Sequence, residues 1–179
     1  MIFVGKQLYL QSMITKSRIL DGKGISQKIN RLAWQIFENN SKENEIIIVG
    51  ISGRGEVLAS ELSKVIKQIS SITTKVGTIH LDKDNPYTTE VTINLDVSDY
   101  TNKVVILIDD VLNSGKTLMY SSKYFLITPL IKLSTVVLVD RNHNSFPIKA
   151  DYVGLSLATT LQEYITVILD GKGQGIYLS

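Results

Sequence analysis

The chain has 179 residues, of which 44% are apolar and 20% charged, and its formal net charge is +2 at pH 7. This length and composition fit one folded domain with a sizeable core, and they give no support to a disordered or strongly basic nucleic-acid-binding protein. The absence of cysteine excludes disulfides, thiolate zinc sites and cysteine nucleophiles and suits a reducing cytoplasm, while the apolar runs are far shorter than the roughly 20 residues of a membrane-spanning helix.

Residues 1–17 are expected to form an N-terminal extension, followed by a single domain over residues 18–179. Residues 1–12 are not expected to be a signal peptide, because they have neither a long apolar stretch nor a small-residue cleavage site. Apolar residues at helical spacing predict a first helix over residues 26–39, with Ser26 as its N-cap. Four consecutive aliphatic residues then predict a strand over residues 45–50 that is buried on both faces, as in parallel sheets.

The following elements are predicted from the same periodicities, in chain order. They are a glycine-containing turn at 51–55, a helix over 57–69, a strand at 76–81, a polar loop at 82–90, a strand at 91–95, a buried strand at 104–108, a helix at 115–126, a buried strand at 133–139, and short strands at 152–155, 164–169 and 176–178. Strands that alternate with helices in this way predict an α/β fold with a mostly parallel sheet.

Three of the predicted strands are followed by polar clusters. These clusters are Ser52-Gly53-Arg54, Asp109-Asp110 and Asp140-Arg141. Because ligands bind beyond the carboxyl ends of the strands in such sheets, we expect the three clusters to surround one site.

The most informative segment is 104–117, in which an aliphatic strand leads to two adjacent carboxylates, a turn of small residues and the start of a helix. Free backbone N–H groups at a helix start, with hydroxyl groups beside them, favour phosphate binding. Gly115-Lys116-Thr117 alone would more often be structural, and it is not part of a P-loop, because Asp110 stands where a P-loop has its first glycine. The whole run is far more specific than this tripeptide.

Residues 106–117 resemble the signature with which type I phosphoribosyltransferases bind phosphoribosyl pyrophosphate (PRPP). The resemblance extends from about residue 18 to residue 178, and it is strongest to the branch of bifunctional pyrimidine-operon attenuators and uracil phosphoribosyltransferases. The matching segments outside the signature are Ile19-Leu20-Asp21, Val49-Gly50-Ile51, Gly77, residues 137–141 with His143, Pro147-Ile148, and residues 150–154. The resemblance implies the type I fold, which is a twisted, mostly parallel sheet flanked by helices, with a small hood from the termini.

The resemblance also implies a function, the transfer of ribose 5-phosphate from PRPP to a nucleobase, uracil first, with release of pyrophosphate. Asp109, Asp110 and Arg54 would be the catalytic residues, with the two aspartates holding the ribose hydroxyls. The 5-phosphate would be bound by Asn113, Ser114, Gly115, Lys116 and Thr117. Pyrophosphate would be bound by Ser52, Gly53, Arg54 and Gly55, in a loop that often has a non-proline cis peptide in this family, and by Lys83.

Four further residues, Val111, Leu112, Asp140 and Arg141, would border the base. Mg²⁺ would accompany PRPP, bound mainly through substrate oxygens and water, with Asp109 and Asp110 as the protein groups that could reach it through water. A homodimer without membrane contact is expected from the family.

Several positions depart from the family pattern. Asn113 stands where enzymes for 6-oxopurines have Asp and the attenuator branch has an aromatic residue, and Leu161 stands where that branch has Arg. The pyrophosphate loop and the loop at 82–90 also differ. The identity of the base is therefore less well supported than PRPP binding.

Two alternatives to an active enzyme stay open. One is an RNA-binding regulator that senses PRPP or nucleotides, for which the residues Lys16, Arg18, Lys23, Lys28 and Arg31 form a loose basic group, although a solvated helix face is the favoured interpretation. The other is a protein that keeps the fold without catalysis. Arg54 and Lys83 favour the enzyme, because an inactive site has no reason to keep charges directed at pyrophosphate.

Overall fold

The structure, a computed structural model, describes residues 17–160 and 162–179. Nine strands and four helices lie in these ranges. In chain order they are β1 (Ser17–Asp21), α1 (Gly22–Asn39), β2 (Glu45–Ile51), α2 (Arg54–Ile69), β3 (Thr73–His80), β4 (Thr92–Ile93), α3 (Val97–Tyr100), β5 (Val104–Leu112), α4 (Lys116–Phe125), β6 (Lys132–Asp140), β7 (Tyr152–Ser156), β8 (Ile165–Ile168) and β9 (Gly175–Leu178). Lys16 and Leu161, and nearly all of the predicted N-terminal extension, lie outside the described residues.

The main sheet has six strands in the order β4-β3-β2-β5-β6-β7. All neighbours pair in parallel except β3 and β4. Strands β2 and β5 lie at its centre, and their aliphatic runs are buried on both faces. The predicted α/β architecture is confirmed, and the centre of the sheet is the part with the longest aliphatic runs.

The side chains of β2 and β5 divide between two hydrophobic clusters. Ile46, Ile48 and Ile106 face the cluster that contains α1 and α2. Ile47 and Leu107, one position along, face the cluster that contains Tyr100, Leu118 and Phe125. This division follows from the two-residue period of a strand, and it places helices on both faces of the sheet.

Three antiparallel strands, in the order β1-β9-β8, form a second sheet from the two ends of the described chain. Val167, Leu169 and Ile176 of this region are buried in the same cluster as α1 and α2. The predicted small hood is thereby confirmed. Among the described residues, no helix is both long enough and apolar enough to cross a membrane.

Several predicted boundaries were wrong: α2 and β3 begin three residues earlier than predicted, the strand predicted at 91–95 covers only Thr92–Ile93, and the errors at α1 and β5 are larger. Helix α1 begins at Gly22, because the Asp21 carboxylate caps it by accepting a hydrogen bond from the Gly24 N–H at 2.8 Å. Ser26 lies inside the helix and donates to the Gly22 carbonyl oxygen at 3.0 Å. Glycine is a poor helix former, so Gly22 and Gly24 concealed this first turn in the sequence.

Strand β5 also continues beyond Ile108, as far as Leu112. Asp109 and Asp110 therefore lie within the central strand instead of after it. The pairing of β5 with β6 extends to Leu112, which lies opposite Asp140. The backbone of both aspartates is therefore held in an extended conformation.

The start of α2 lies directly against the end of β2. A Cβ atom on Gly50 would come within 2.5 Å of the Glu56 Cα atom and 2.7 Å of the Gly55 carbonyl oxygen. Since these are backbone atoms, they cannot move aside as a flexible side chain could. A glycine is required here, and it sets the distance between the sheet and the turn at 52–55.

We therefore predict that Gly50→Ala lowers the free energy of unfolding by about 1–3 kcal/mol, the usual cost of forcing extra atoms into a packed site. Urea unfolding monitored by circular dichroism measures this change. Glu90→Ala, at an exposed position, is the control. Equal stabilities of the two variants would contradict the close approach.

Candidate active site

Three polar segments meet at the carboxyl ends of neighbouring strands. The turn at 52–55 follows β2, the loop at 81–91 follows β3, and Asp109-Asp110 lies near the end of β5. Because the order of these strands in the sheet is β3-β2-β5, the three segments become neighbours even though the sequence separates them.

Asp109 and Asp110 form a buried acid pair, with exposed fractions of only 6% and 7%. Each meets one cation. Lys83 Nζ lies 3.4 Å from Asp109 Oδ1, and Arg54 Nη1 lies 3.1 Å from Asp110 Oδ2. The Asp110 N–H also donates to Asp109 Oδ1 at 3.0 Å. The structure thus brings together both predicted catalytic carboxylates and both predicted pyrophosphate-binding cations.

The pKa of Asp109 is raised from 3.8 to about 7. The largest cause is burial, which disfavours the ionised carboxylate, and the negative charge of Asp110 acts in the same direction. The positive charge of Lys83 and the hydrogen bond from the Asp110 N–H act in the opposite direction. Asp109 therefore changes its charge close to neutral pH.

The predicted phosphate-binding residues surround one cavity of about 270 Å³. Its walls include all five residues from Asn113 to Thr117, together with Lys83, Asp84 and Asp109. Gly115 has φ = +82°, and a Cβ atom there would lie 2.7 Å from Ile148 Cγ2, so a glycine is needed at this turn. The cavity lies at the N-terminus of α4, where free N–H groups and the helix dipole favour an anion.

A second cavity of about 500 Å³ adjoins the first. Ser52, Gly53 and Arg54 line it on one side, and both aspartates of the acid pair line it on another. Gly53 has φ = +91°, and every peptide bond among the described residues is trans, so the expected cis peptide is not present there. Gly55 is buried against β5, where a Cβ atom would lie 2.7 Å from the Ile108 carbonyl oxygen.

The two cavities share four wall residues, Lys83, Asp109, Val111 and Thr117. A ligand could therefore extend from the helix N-terminus, across the acid pair, to Arg54. Such a ligand would carry anionic groups at both ends and hydroxyl groups in the middle.

Two of the four predicted base-bordering residues, Val111 and Leu112, line the cavities. Asp140 and Arg141 do not. Arg141 is only 5% exposed. Its guanidinium donates to Thr159 Oγ1 at 3.0 Å and to the carbonyl oxygens of Thr160 and Glu163 at 3.2 and 2.6 Å. It holds the segment before β8 against the end of β6, and its contact with the base stays a prediction.

Sequence reasoning missed four wall residues of the two cavities, of which Leu118 and Val137 line the first. Ile165, from the hood, lines the second cavity, and Asp84 lines the first. The Asp84 carbonyl oxygen accepts a hydrogen bond from Lys116 Nζ at 2.6 Å. A backbone carbonyl has no side-chain signature, and an isoleucine in a short strand gives no sign of the surface that it covers.

The sequence matches one protein family and is similar to several known proteins. The phosphoribosyl transferase domain family matches residues 15–167. "Bifunctional protein PyrR" of Staphylococcus aureus strain bovine RF122 / ET3-1 is 37% identical over 164 residues, which cover 87% of this chain and 93% of that protein. The protein of the same name from strain JH9 is 36% identical over the same shares.

Solved structures with a similar fold include a hypoxanthine-guanine phosphoribosyltransferase from Bacillus anthracis, with a TM-score of 0.75 at 21% identity, covering 92% of this chain and 97% of that one. The hypoxanthine phosphoribosyltransferase of Trypanosoma cruzi has a TM-score of 0.73 at 16% identity, covering 90% of this chain and 95% of that one. At sequence identities this low, the structural similarity is evidence for the fold alone.

The raised pKa of Asp109 gives a prediction about stability. Between the unfolded pKa of about 3.8 and the folded value of about 7, the folded chain holds a proton that the unfolded chain releases. The stability that Asp109 contributes is therefore present at low pH and lost as the pH rises through about 7. Asp109→Asn should remove this dependence. The free energy of unfolding of this variant, relative to that of the native chain, should be at least about 1 kcal/mol higher at pH 8 than at pH 4.

Urea unfolding at the two pH values measures the difference, and the exposed Asp170→Asn serves as the control. If the native chain and Asp109→Asn show parallel pH profiles, the carboxyl does not titrate as described.

Proposed function

The chain belongs to the phosphoribosyltransferase family, and we propose that it transfers ribose 5-phosphate from PRPP to uracil with release of pyrophosphate. The observation that carries this proposal is the pair of adjoining cavities with the acid pair between them. PRPP has a phosphate at one end, a pyrophosphate at the other and a ribose with two hydroxyl groups in the middle. Its functional groups follow the same order as the two cavities and the acid pair.

The 5-phosphate would bind in the first cavity, where N–H groups at the start of α4 and the hydroxyls of Ser114 and Thr117 are available. The ribose would lie over the acid pair, and its hydroxyl groups would donate to the carboxylates of Asp109 and Asp110. One oxygen of each carboxylate contacts a cation, Lys83 at Asp109 and Arg54 at Asp110. The pyrophosphate of the bound substrate, which carries more negative charge than either carboxylate, would draw both cations away from the acid pair.

The released cations would stabilise the leaving group. Departure of pyrophosphate leaves positive character on the ribose and negative charge on the pyrophosphate oxygens. Arg54 and Lys83 both line the second cavity, where they can meet that negative charge. The buried carboxylates stay beside the ribose, where negative charge favours the developing cation.

We propose that Mg²⁺ accompanies PRPP, where it neutralises charge on the pyrophosphate. Among the described residues no group of three or more His, Asp, Glu or Cys side chains could enclose a metal ion. The acid pair can offer carboxylate oxygens to a metal-bound water. This arrangement fits Mg²⁺, which usually keeps several waters and binds through one or two carboxylates and substrate phosphates.

Uracil is favoured as the base by the resemblance of the sequence to the branch of pyrimidine-operon attenuators and uracil phosphoribosyltransferases. Asn113, which lines the first cavity, has no ionisable group and cannot serve the purine ring proton as an Asp would. The aliphatic Val111 and Ile165 line the second cavity and offer apolar surface to a small flat ring. Hypoxanthine and guanine are disfavoured.

Calorimetry with PRPP and Mg²⁺, followed by assays of pyrophosphate release with single bases, tests the function. We expect PRPP to bind, and uracil to support release in preference to orotate, adenine, hypoxanthine and guanine. Binding without release with any base would favour a PRPP sensor, and no binding would contradict the proposal.

An RNA-binding regulator is the second candidate function, and the resemblance of the sequence to the attenuator branch favours it. Arg18 and Lys23 are exposed and available to a polyanion. Arg31 is engaged, because its guanidinium donates to the carbonyl oxygens of Val153 and Gly154 at 2.8 and 2.6 Å. RNA retention that weakens steeply with salt would support this role. A cytoplasmic homodimer is expected by analogy with the family.

The acid pair gives a sharper prediction about catalysis. Asp110→Asn keeps the shape of the side chain but removes the negative charge beside the ribose and Arg54, so kcat should fall by about 100-fold or more. Steady-state pyrophosphate release measures the loss, with Glu61→Gln, on the surface of α2, as the control. Thermal unfolding checks that the variant is folded. Undiminished turnover in a folded Asp110→Asn protein would remove Asp110 from the mechanism.

A further inference from the structure

The loop between β3 and β4 is tied to the phosphate cavity at one backbone atom. Lys116 Nζ donates to the Asp84 carbonyl oxygen at 2.6 Å, across 32 positions of sequence. Within the described residues, the loop from 82 to 90 makes one other hydrogen bond to the rest of the protein, the contact between Lys83 and Asp109. The bond from Lys116 is therefore one of two hydrogen bonds that join this loop to the rest of the described protein.

The local structure of the loop presents the Asp84 carbonyl to Lys116. The Asp82 carboxylate accepts hydrogen bonds from the N–H groups of Asp84 and Asn85 at 2.9 and 3.0 Å, which forms a turn. A second turn follows, in which the Thr88 N–H donates to the Asn85 carbonyl oxygen at 3.0 Å. Pro86 is buried between these two turns, whereas its neighbours in the loop are exposed.

Asp84 is covalently bonded to Lys83, so the position of one restricts that of the other. Consecutive Cα atoms lie about 3.8 Å apart. Lys83 reaches Asp109 at 3.4 Å while its side chain is still 41% exposed, so little packing holds it there. The bond from Lys116 supplies a fixed point one residue away.

We propose that Lys116 is a positioning residue, which holds the loop through the Asp84 carbonyl and thereby places Lys83 beside the acid pair, ready for pyrophosphate. The consequence for catalysis rests on the proposed function, whereas the tether itself does not. Lys116 thus has a role beyond binding the 5-phosphate. An ammonium group has three N–H donors, and the Asp84 carbonyl uses one, so the same side chain can hold the loop and a phosphate together.

This arrangement couples the two ends of the substrate. A phosphate in the first cavity would sit beside the ammonium group that fixes the loop, while Lys83 on that loop serves the second cavity. Occupation of the 5-phosphate site would then order the cation needed at the pyrophosphate site. If Lys116 bound only phosphate, substituting it would leave the loop of the free protein unchanged. Its contribution to catalysis would then be independent of Lys83.

Hydrogen exchange of the ligand-free protein, read by mass spectrometry on peptides covering residues 82–91, tests the tether without any assumption about activity. The amides of Asp84, Asn85 and Thr88 are hydrogen-bonded within the loop and report its order. Lys116→Met should speed their exchange by about tenfold, since loops are held by small local free energies. Lys116→Arg, which keeps a donor, should restore slower exchange.

Thr117→Val is the matched control, because it alters the next wall residue of the first cavity without touching the loop bond. It should leave exchange in the loop unchanged. Native exchange in α1 and α2 establishes that each variant is folded. Loop exchange at the native rate in Lys116→Met, or equal acceleration in Thr117→Val, would overturn the tether.

A double-mutant cycle then tests whether Lys116 acts through Lys83. Lys116→Met should lower kcat in the native background but change it by less than about twofold in a Lys83→Met background, while KM for PRPP rises in both. Independent, multiplicative losses of kcat would overturn the positioning role. A native protein that turns over no PRPP would contradict the proposed function, and the exchange experiment would still decide the tether.

Discussion

The site depends on two carboxylates that are buried in the central strand of the sheet. An ionised carboxylate away from water is costly unless a cation or hydrogen-bond donors meet it. Asp109 and Asp110 obtain their cations from two other segments, the turn after β2 and the loop after β3. The burial that raises the pKa of Asp109 is thus the same constraint that brings Lys83 and Arg54 into the site.

A substrate with two anionic ends can use this charge arrangement directly. Each cation contacts one carboxylate of the acid pair, so neither carboxylate is left without a partner. Ribose hydroxyl groups can replace the cations as partners of the carboxylates, and the pyrophosphate can replace the carboxylates as partner of the cations. Binding would then exchange partners without leaving a buried charge alone, and Lys116 would keep the loop in place during the exchange.

The sequence predicted the parts of this arrangement that depend on periodicity or on a side-chain motif. The aliphatic runs located β2, β5 and β6, and the signature at 106–117 located the acid pair and the wall residues 113–117 of the first cavity. The start of α1 was missed, because two glycines masked a turn that Asp21 caps. The Asp84 carbonyl, the wall formed by Ile165 and the hydrogen bonds from Arg141 to the segment before β8 depend on tertiary contacts between separate segments. A local sequence pattern does not encode such contacts.

The most direct test of the partner exchange is a crystal structure of the protein with Mg²⁺ and a non-reactive carbocyclic analogue of PRPP. The account predicts the ring hydroxyls within hydrogen-bond distance of the carboxylates of Asp109 and Asp110, with Arg54 and Lys83 moved from the acid pair to the pyrophosphate group. A complex in which the analogue binds while both cation–carboxylate contacts stay intact would contradict it.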